Sequence, residues 1–467
     1  MKAMTDPTHA LAEGLGALRR QFALPPGFPP EVTAAAETAA ARPITDHVDR
    51  TAMPFVTLDP ASSTDLDQAF TIEATNGSAA GGDLILHYAI ADVAWFVADG
   101  DPVDVEAWKR GETIYLPDGK TGLYPKSLSE GAASLLPDGP RPAVVFAVRV
   151  AGDGSVKLDG VERALIRSRA KLAYETATDD QLPTGFAEIA RRIAAAEDAR
   201  GASRVEPPEQ EVAPVDGGGY ELHFRTRFAA EDGNAALSLA SNLAVAAMLQ
   251  EHHTGLFRTM PAPSKKSHYR LRMTAKAFGI GWAPSLPLEA FQKTLDPCQP
   301  VDAAMMMAIR RAGLGAAYVP YKEGVVPWHS AMAATYAHAT APLRRLADRY
   351  VIEAALAVAN GLAVPDAVTA AFARLPAVMA KADALASQTD RGAIDLAEAV
   401  MLSGQVGSTH RAVVTDIDER GARIQLTDLA VVTRFADAAG LEPGDEVQAR
   451  LIEVDPVRRL ARFERLP

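Results

Sequence analysis

The sequence predicts an α+β protein: a mixed sheet with helices packed around it, followed by a small C-terminal β-barrel of the OB type. Three observations predict it. Short apolar strand runs cluster between residues 55 and 158, long helices with an apolar face fill 170–402, and strand-like alternation returns after residue 403. At 467 residues the chain is too long for one ordinary domain. Its 48% apolar and 23% charged residues suit a globular protein with a real core and argue against disorder.

Residues 1–50 are Ala-rich and punctuated by Pro25-Pro26 and Pro29-Pro30. Helical spacing over 9–22 and 30–41 predicts a short N-terminal helical arm with no compact all-β module. From Phe55 the pattern changes. Residues 55–58, 84–91 and 143–150 read as strands, and Asp153-Gly154 offers a turn into another at 155–158. These make an antiparallel or mixed sheet with long loops. Residues 234–253, 301–312 and 342–360 carry helical apolar faces, and the Ala-rich 364–402 predicts two further helices. Gly217-Gly218-Gly219 marks a loop between sheet-like and helical parts. At the C-terminus, strand runs at 412–417, 422–426, 446–454 and 459–463 are separated by turn signals at Gly421, Gly444-Asp445 and Asp455-Pro456, which fits a five-stranded barrel. The domain boundaries expected are 1–50, 51–402 and 403–467.

Lys and Arg number 47 against 59 Asp and Glu, a net charge of −12. That argues against a protein that coats nucleic acid nonspecifically, while leaving room for a nucleic-acid enzyme with a local basic channel. Cys298 is the single cysteine, which excludes an intramolecular disulfide, argues against a Cys-based zinc site and suits a reducing compartment. The longest apolar run, 236–249, is interrupted by Ser238, Ser241 and Asn242 and does not reach membrane-spanning length. No basic segment followed by an apolar one opens the chain. The expectation is a soluble, cytoplasmic, monomeric multidomain protein with no membrane partner.

The sharpest motif runs Asp59-Pro-Ala-Ser-Ser-Thr-Asp65-Leu66-Asp67-Gln68-Ala69. In an extended segment Asp65 and Asp67 point to one side while Leu66 points to the core, and Asp59 joins them if the loop folds back. Three convergent carboxylates need a cation, and Mg²⁺ prefers oxygen ligands with water and substrate phosphate. A solvated acidic loop or a calcium-stabilised turn has the same spacing, so both readings stand at this point. The second motif is Tyr336-Ala-His338-Ala-Thr340-Ala-Pro342-Leu-Arg344-Arg345-Leu-Ala-Asp348-Arg349-Tyr350. Thr340 as cap and Pro342 in the first turn predict a helix start at which Arg344 and free backbone N–H groups hold a phosphate. A solvated basic face paired to Asp348 is the equal alternative.

Together these motifs resemble the RNB exoribonucleases, typified by ribonuclease II and ribonuclease R. The matching residues begin with the acidic loop and Ala89-Ile90-Ala91-Asp92-Val93-Ala94-Trp95. Tyr115-Leu116-Pro117, Tyr124-Pro125, Ser127-Leu128-Ser129 and Ser134-Leu135-Leu136-Pro137 follow, then Arg141-Pro142-Ala143. Arg169-Ala-Lys171-Leu-Ala-Tyr174, Asn242 and Tyr336 to Arg345 complete the set in the family's order, across residues 51–402. The resemblance implies an RNB catalytic domain whose sheet and helices surround an RNA channel, with an RNA-binding OB domain behind it. It implies processive 3′→5′ hydrolysis of single-stranded RNA to nucleoside 5′-monophosphates with Mg²⁺, for which Mn²⁺ can substitute. Asp59, Asp65 and Asp67 match metal-holding acids, with Asp65 and Asp67 also catalytic and Asp67 the most tied to catalysis. Arg344 matches the arginine on the scissile phosphate. Tyr115 matches an aromatic that stacks on terminal bases, and Tyr174 a tyrosine linked to preference for RNA. Arg345, Tyr336, His338 and Thr340 complete the implied RNA-binding set.

Four departures from the family pattern are visible. Gln68 replaces the second of two adjacent Asp. No aromatic stands at 254–256 to complete the base clamp, with Phe257 as its substitute. Asp390 replaces a helical Glu near the active site. No paired cold-shock barrels precede the domain, so RNA capture falls to the C-terminal barrel or the arm. Gln68 keeps a second expectation open, an RNB fold weakened in catalysis that binds RNA. A nuclease acting mainly on DNA is disfavoured by Tyr174. His252, His253 and His268 read as surface or core residues ahead of metal ligands. Lys265, Lys266, Arg270 and Arg272 read equally as an RNA entry or a solvated loop, and Trp95 and Trp108 as packing residues.

Overall fold

The computed structural model describes residues 4–5, 10–75, 82–202, 209–215, 219–296, 299–313, 315–418 and 420–466. Cys298, Gly217 and Gly218 lie outside them. Two helices form the arm, α1 (Ala10–Gln21) and α2 (Pro30–Ala40). Pro30 suits the first turn of α2 because a first-turn amide has no helical acceptor to lose.

The central sheet has seven strands: β1 (Val48–Asp49), β2 (Phe55–Asp59), β3 (Gln68–Ala74), β4 (Leu84–Ala91), β5 (Arg141–Val150), β6 (Val156–Ile166) and β7 (Ser168–Ala173). Their order is β7-β2-β3-β4-β5-β6-β1. The outer pairs β7–β2 and β6–β1 are parallel and the inner ones antiparallel, so the sheet is mixed as expected. The near-continuous apolar run of β4 fits its central place, with neighbours on both edges and seven of its eight residues buried.

Helix α3 (Phe186–Arg200) packs on α4 (Ala229–Glu251), and α4 lies across the sheet against β6, β5, β2 and β4. A smaller lobe contains α5 (Lys265–Ala277) and α6 (Pro300–Ala312), held together by Leu271, Phe291, Met305 and Ile309. Two helices follow, α7 (Leu346–Ala359) and α8 (Asp366–Met401). No helix among the described residues is long and apolar enough to cross a membrane.

The C-terminal sheet comprises β8 (Thr409–Asp418), β9 (Gly421–Leu426), β10 (Val432–Phe435), β11 (Glu446–Asp455) and β12 (Leu460–Arg465). The order is β10-β9-β8-β11-β12. The Thr433 hydroxyl reaches the Ala461 carbonyl at 3.3 Å, bringing the outermost strands together into the nearly closed barrel of the OB type. In β11, Val447, Ala449 and Leu451 point inward and alternate with exposed residues.

Several elements differ from the sequence expectation. The helix expected from residue 342 starts at Leu346, because the buried Asp348 carboxylate accepts the N–H groups of Thr340 and Ala341 and holds residues 340–345 as turns. Thr340 therefore caps nothing. The two helices expected over 364–402 are one. Gly392 inside it is a close-approach residue, since a Cβ there would sit 2.8 Å from Leu18 Cδ1 of α1. The loop expected at Gly217-Gly218-Gly219 falls largely outside the described residues; the flanking strands Gln210–Pro214 and Tyr220–Phe224 pair antiparallel. Strand β3 follows the acidic loop directly and was not among the strands expected, because its mixed apolar and polar residues give only a weak alternation.

Candidate active site

Asp59 ends β2, and the loop after it returns the chain at Gln68 to start β3. Leu66 is fully buried, and its backbone is tied on both sides, its N–H to the Ser134 hydroxyl and its carbonyl to the Leu135 N–H. The Asp67 carbonyl accepts the Ala91 N–H at the end of β4. Fixing Leu66 inward turns its neighbours outward, so Asp65 and Asp67 face the same cavity as Asp59. That cavity measures about 480 Å³ and is also lined by Tyr115, Tyr174, Tyr336 and Arg344.

The three acids are not equivalent. Asp67 is 6% exposed. Its Oδ1 accepts the Leu343 N–H at 2.7 Å, and its Oδ2 lies 3.6 Å from Arg344 Nε. Burial pushes its carboxyl up to about 8, against the pull of Arg344 and the Leu343 amide. Burial likewise pushes Asp59 up to about 7, with Arg344 opposing. Asp65 faces the same cavity, and its charge helps to raise both neighbours; Lys120 Nζ sits 2.7 Å from its Oδ1, and the Tyr115 hydroxyl donates to its Oδ2 at 3.3 Å. Among the described residues no three His, Cys, Asp or Glu side chains are grouped as a ready metal site. Of the expected ligand trio, Asp65 already has an ammonium partner. Asp59 and Asp67 remain hard oxygen donors, desolvated and close to one guanidinium, and that donor set fits a single Mg²⁺.

The far wall is helix α4. Asn234, Ser238 and Asn242 stand four residues apart, on one face of the helix. Asn234 donates to the Tyr174 hydroxyl at 2.9 Å and Ser238 meets the Tyr88 hydroxyl at 2.6 Å. Asn242 accepts the Ala339 N–H and donates to the Tyr336 and Thr340 hydroxyls. Of the three, the sequence motifs point only to Asn242. The i, i+4, i+8 polar ridge that leads into the longest apolar run is the signal for the other two. Lys120 has no comparable signal.

Other expected site residues sit differently. Gln68 lines the cavity, but its amide N–H donates to the Thr340 carbonyl at 2.7 Å while its Oε1 accepts the Tyr88 hydroxyl at 2.6 Å. It is a structural tie. The amides of Thr340, Ala341 and Leu343 serve Asp348 and Asp67, so the phosphate-holding helix start expected at Arg344 is replaced by a turn that carries only its side chain. Arg345 is a double donor to Asp348 at 2.8 and 2.7 Å, with its edge on the cavity. His338 bonds the Tyr318 hydroxyl at 2.7 Å and packs edge-on to Tyr336; burial and the nearby arginine lower its pKa well below the usual value, so it supports Tyr336 from behind as a neutral ring. Phe257 is fully buried in the core and has no face for a base. Asp390 is exposed on α8 and lies outside the cavity lining.

The histidine pair is scattered, His252 on the Met248 carbonyl and His253 on Tyr321, while His268 packs on Trp282. Arg272 is consumed by four carbonyls between Trp282 and Leu286, whereas Lys265, Lys266 and Arg270 are exposed on α5. Trp95 packs against His47 and Trp108 donates to Tyr350, both away from the cavity.

Residues 47–358 match the RNB domain, and residues 408–466 match the RNase II-type exonuclease C-terminal S1 domain. The chain belongs to the RNB family. Ribonuclease R of Aquifex aeolicus is 26% identical across 95% of this chain and 69% of its own length. Ribonuclease R of Mycoplasma pneumoniae is 30% identical across 64% of this chain and 44% of its own. In fold, this RNB protein is similar to Mycoplasma genitalium RNase R solved with ribose-methylated single-stranded RNA, at 20% identity, a TM-score of 0.85 and coverage of 98% of this chain and 78% of that one. It is also similar to yeast Ssd1, a pseudonuclease, at 16% identity, a TM-score of 0.72 and coverage of 95% and 58%.

Proposed function

We propose that this RNB-family protein is an exoribonuclease that hydrolyses single-stranded RNA processively from its 3′ end to nucleoside 5′-monophosphates. The catalytic unit spans 51–402, the RNA-binding barrel 403–467, and the arm 1–50 supports both. The observation that carries the reading is the meeting of Asp59, Asp67 and Arg344 with Tyr115 and Tyr174 on one cavity. Bound Mg²⁺, or Mn²⁺ in its place, supplies positive charge to the phosphate and acidifies a water. Asp59 and Asp67 would hold that ion. Arg344, half-exposed beside Asp67, offers its guanidinium to the charge that develops on the scissile phosphate. Tyr115, 51% exposed, presents a ring for the last bases, a contact worth about 1–3 kcal/mol per base whatever the sequence. The Tyr174 hydroxyl, fixed by Asn234, is placed to meet a ribose 2′-hydroxyl.

A second cavity of about 930 Å³, between α8 and the barrel, is lined by Arg391, Arg423, Arg434, Arg459 and Arg462 and offers a path for the upstream phosphates. A cytoplasmic monomer fits this reading.

The test is a 5′-labelled poly(A) digest with Mg²⁺, with and without EDTA. A ladder shrinking to a short limit product, and blocked by EDTA, is expected. The second reading, RNA binding without cleavage, is favoured by Gln68 standing where the family has an acid. Intact RNA with a gel shift selects it. Running RNA and DNA strands of one sequence side by side tests the role given to Tyr174.

A further inference from the structure

The short strand Gly119–Thr121 carries Lys120 over the acidic loop. Its Nζ lies 2.7 Å from Asp65 Oδ1 and 3.1 Å from Glu130 Oε1, and its side chain is only 20% exposed. Asp65 is 10% exposed at its side chain, and its other oxygen accepts the Tyr115 hydroxyl. Both Asp65 oxygens therefore have donors, and the carboxylate has a fixed cationic partner before any metal arrives. At the next candidate position the Gln68 amide oxygen accepts the Tyr88 hydroxyl at 2.6 Å, and the Ser238 hydroxyl stands 3.3 Å from it. Two of the four loop positions that could offer an oxygen are thereby already engaged, and the two that remain match the charge of one dication.

We propose that Lys120 is a positioning residue that stands in for a second metal ion: it takes Asp65 out of the ligand set and leaves Asp59 and Asp67 to hold a single divalent cation. A second dication near Asp65 would meet the ammonium at close range, and like charges in a sheltered site repel strongly. This rests on the metal-dependent nuclease reading above, yet it makes a statement about ion count that needs no RNA.

The experiment titrates Mn²⁺ into the full-length protein without RNA and counts bound ions from the electron paramagnetic resonance signal of free Mn²⁺. The wild type is expected to bind one ion. Lys120→Met, which keeps the stem and removes the charge, is expected to bind a second. Lys120→Arg, which keeps the charge, is expected to bind one. Lys120→Gln reads the same way as Lys120→Met if the latter fails to fold, as judged by circular dichroism. Two ions on the wild type, none at millimolar Mn²⁺, or the same count and affinity in the charge-removed variant overturn the proposal. If the counts come out as expected while labelled RNA stays intact, the nuclease reading fails and the role of Lys120 stands. If a wild type that holds two ions cleaves the RNA, the nuclease reading stands and the role of Lys120 fails.

Discussion

Asp67 sits where three demands meet: it is buried, it takes the Leu343 amide on one oxygen, and it faces Arg344 with the other. Asp67→Asn keeps its shape and removes its charge. Turnover should fall by about 10²–10³-fold or more, the scale of losing one electrostatic contact to a reacting centre, with RNA affinity in a gel shift little changed. Equal degradation by mutant and wild type refutes the assignment. The burial-raised carboxyls of Asp59 and Asp67 add a pH dependence. A raised folded-state pKa favours the metal-free fold at low pH, and that favour is lost as pH rises through about 7 and about 8. Cation and proton compete for the same oxygens, so added Mg²⁺ should raise the melting temperature more at pH 8.5 than at pH 6. Thermal shift at the two pH values checks it; equal shifts contradict it.

Helix α8 is the element on which the barrel seats. Its Glu398 is buried and accepts Gln210 Nε2 at 2.8 Å and the Val432 N–H of β10 at 3.1 Å through one oxygen. Burial pushes it up to about 7, the two hydrogen bonds notwithstanding. The sign follows: its contribution is full below the ordinary glutamate range and is lost as pH rises through about 7. Glu398→Gln stays neutral at every pH and should stabilise more at pH 8.5 than at pH 6. Denaturant titrations at both values decide it, and a stability difference independent of pH would count against the burial argument. Helix α4 shows the same economy in another form: Asn234, Ser238 and Asn242, one turn apart, all face the cavity.

Across the whole molecule, the arm acts as a clamp. Leu11, Leu15 and Leu18 of α1 are fully buried and share one hydrophobic cluster with α8 and the barrel. Arg19 bonds Asp118 and Thr121, in the hairpin that carries Tyr115 and Lys120, and Gln21 accepts from Arg459 of the barrel. Leu15→Ala should cost about 2–5 kcal/mol, the range for truncating a buried leucine. Chemical denaturation measures it; a loss under about 1 kcal/mol would place α1 outside the core. Because the hairpin hangs on α1, RNA cleavage should weaken as well, through the support of Tyr115 and not through any contact of the arm with RNA.

The arm helices, four central strands and four of the five barrel strands were legible in the sequence because alternation and helical periodicity are local and these segments each bury one face or both. The acidic loop was legible for the same reason, since its three carboxylates stand in one short stretch of chain. Tertiary structure alone decided which oxygens are free. The amide that holds Asp67 lies 276 positions away, the amide of Gln68 is turned to a carbonyl 272 positions away, and the ammonium on Asp65 comes from a separate hairpin. A carboxylate's chemistry depends on what already occupies its lone pairs, and those occupants are set by long-range packing that no local pattern encodes.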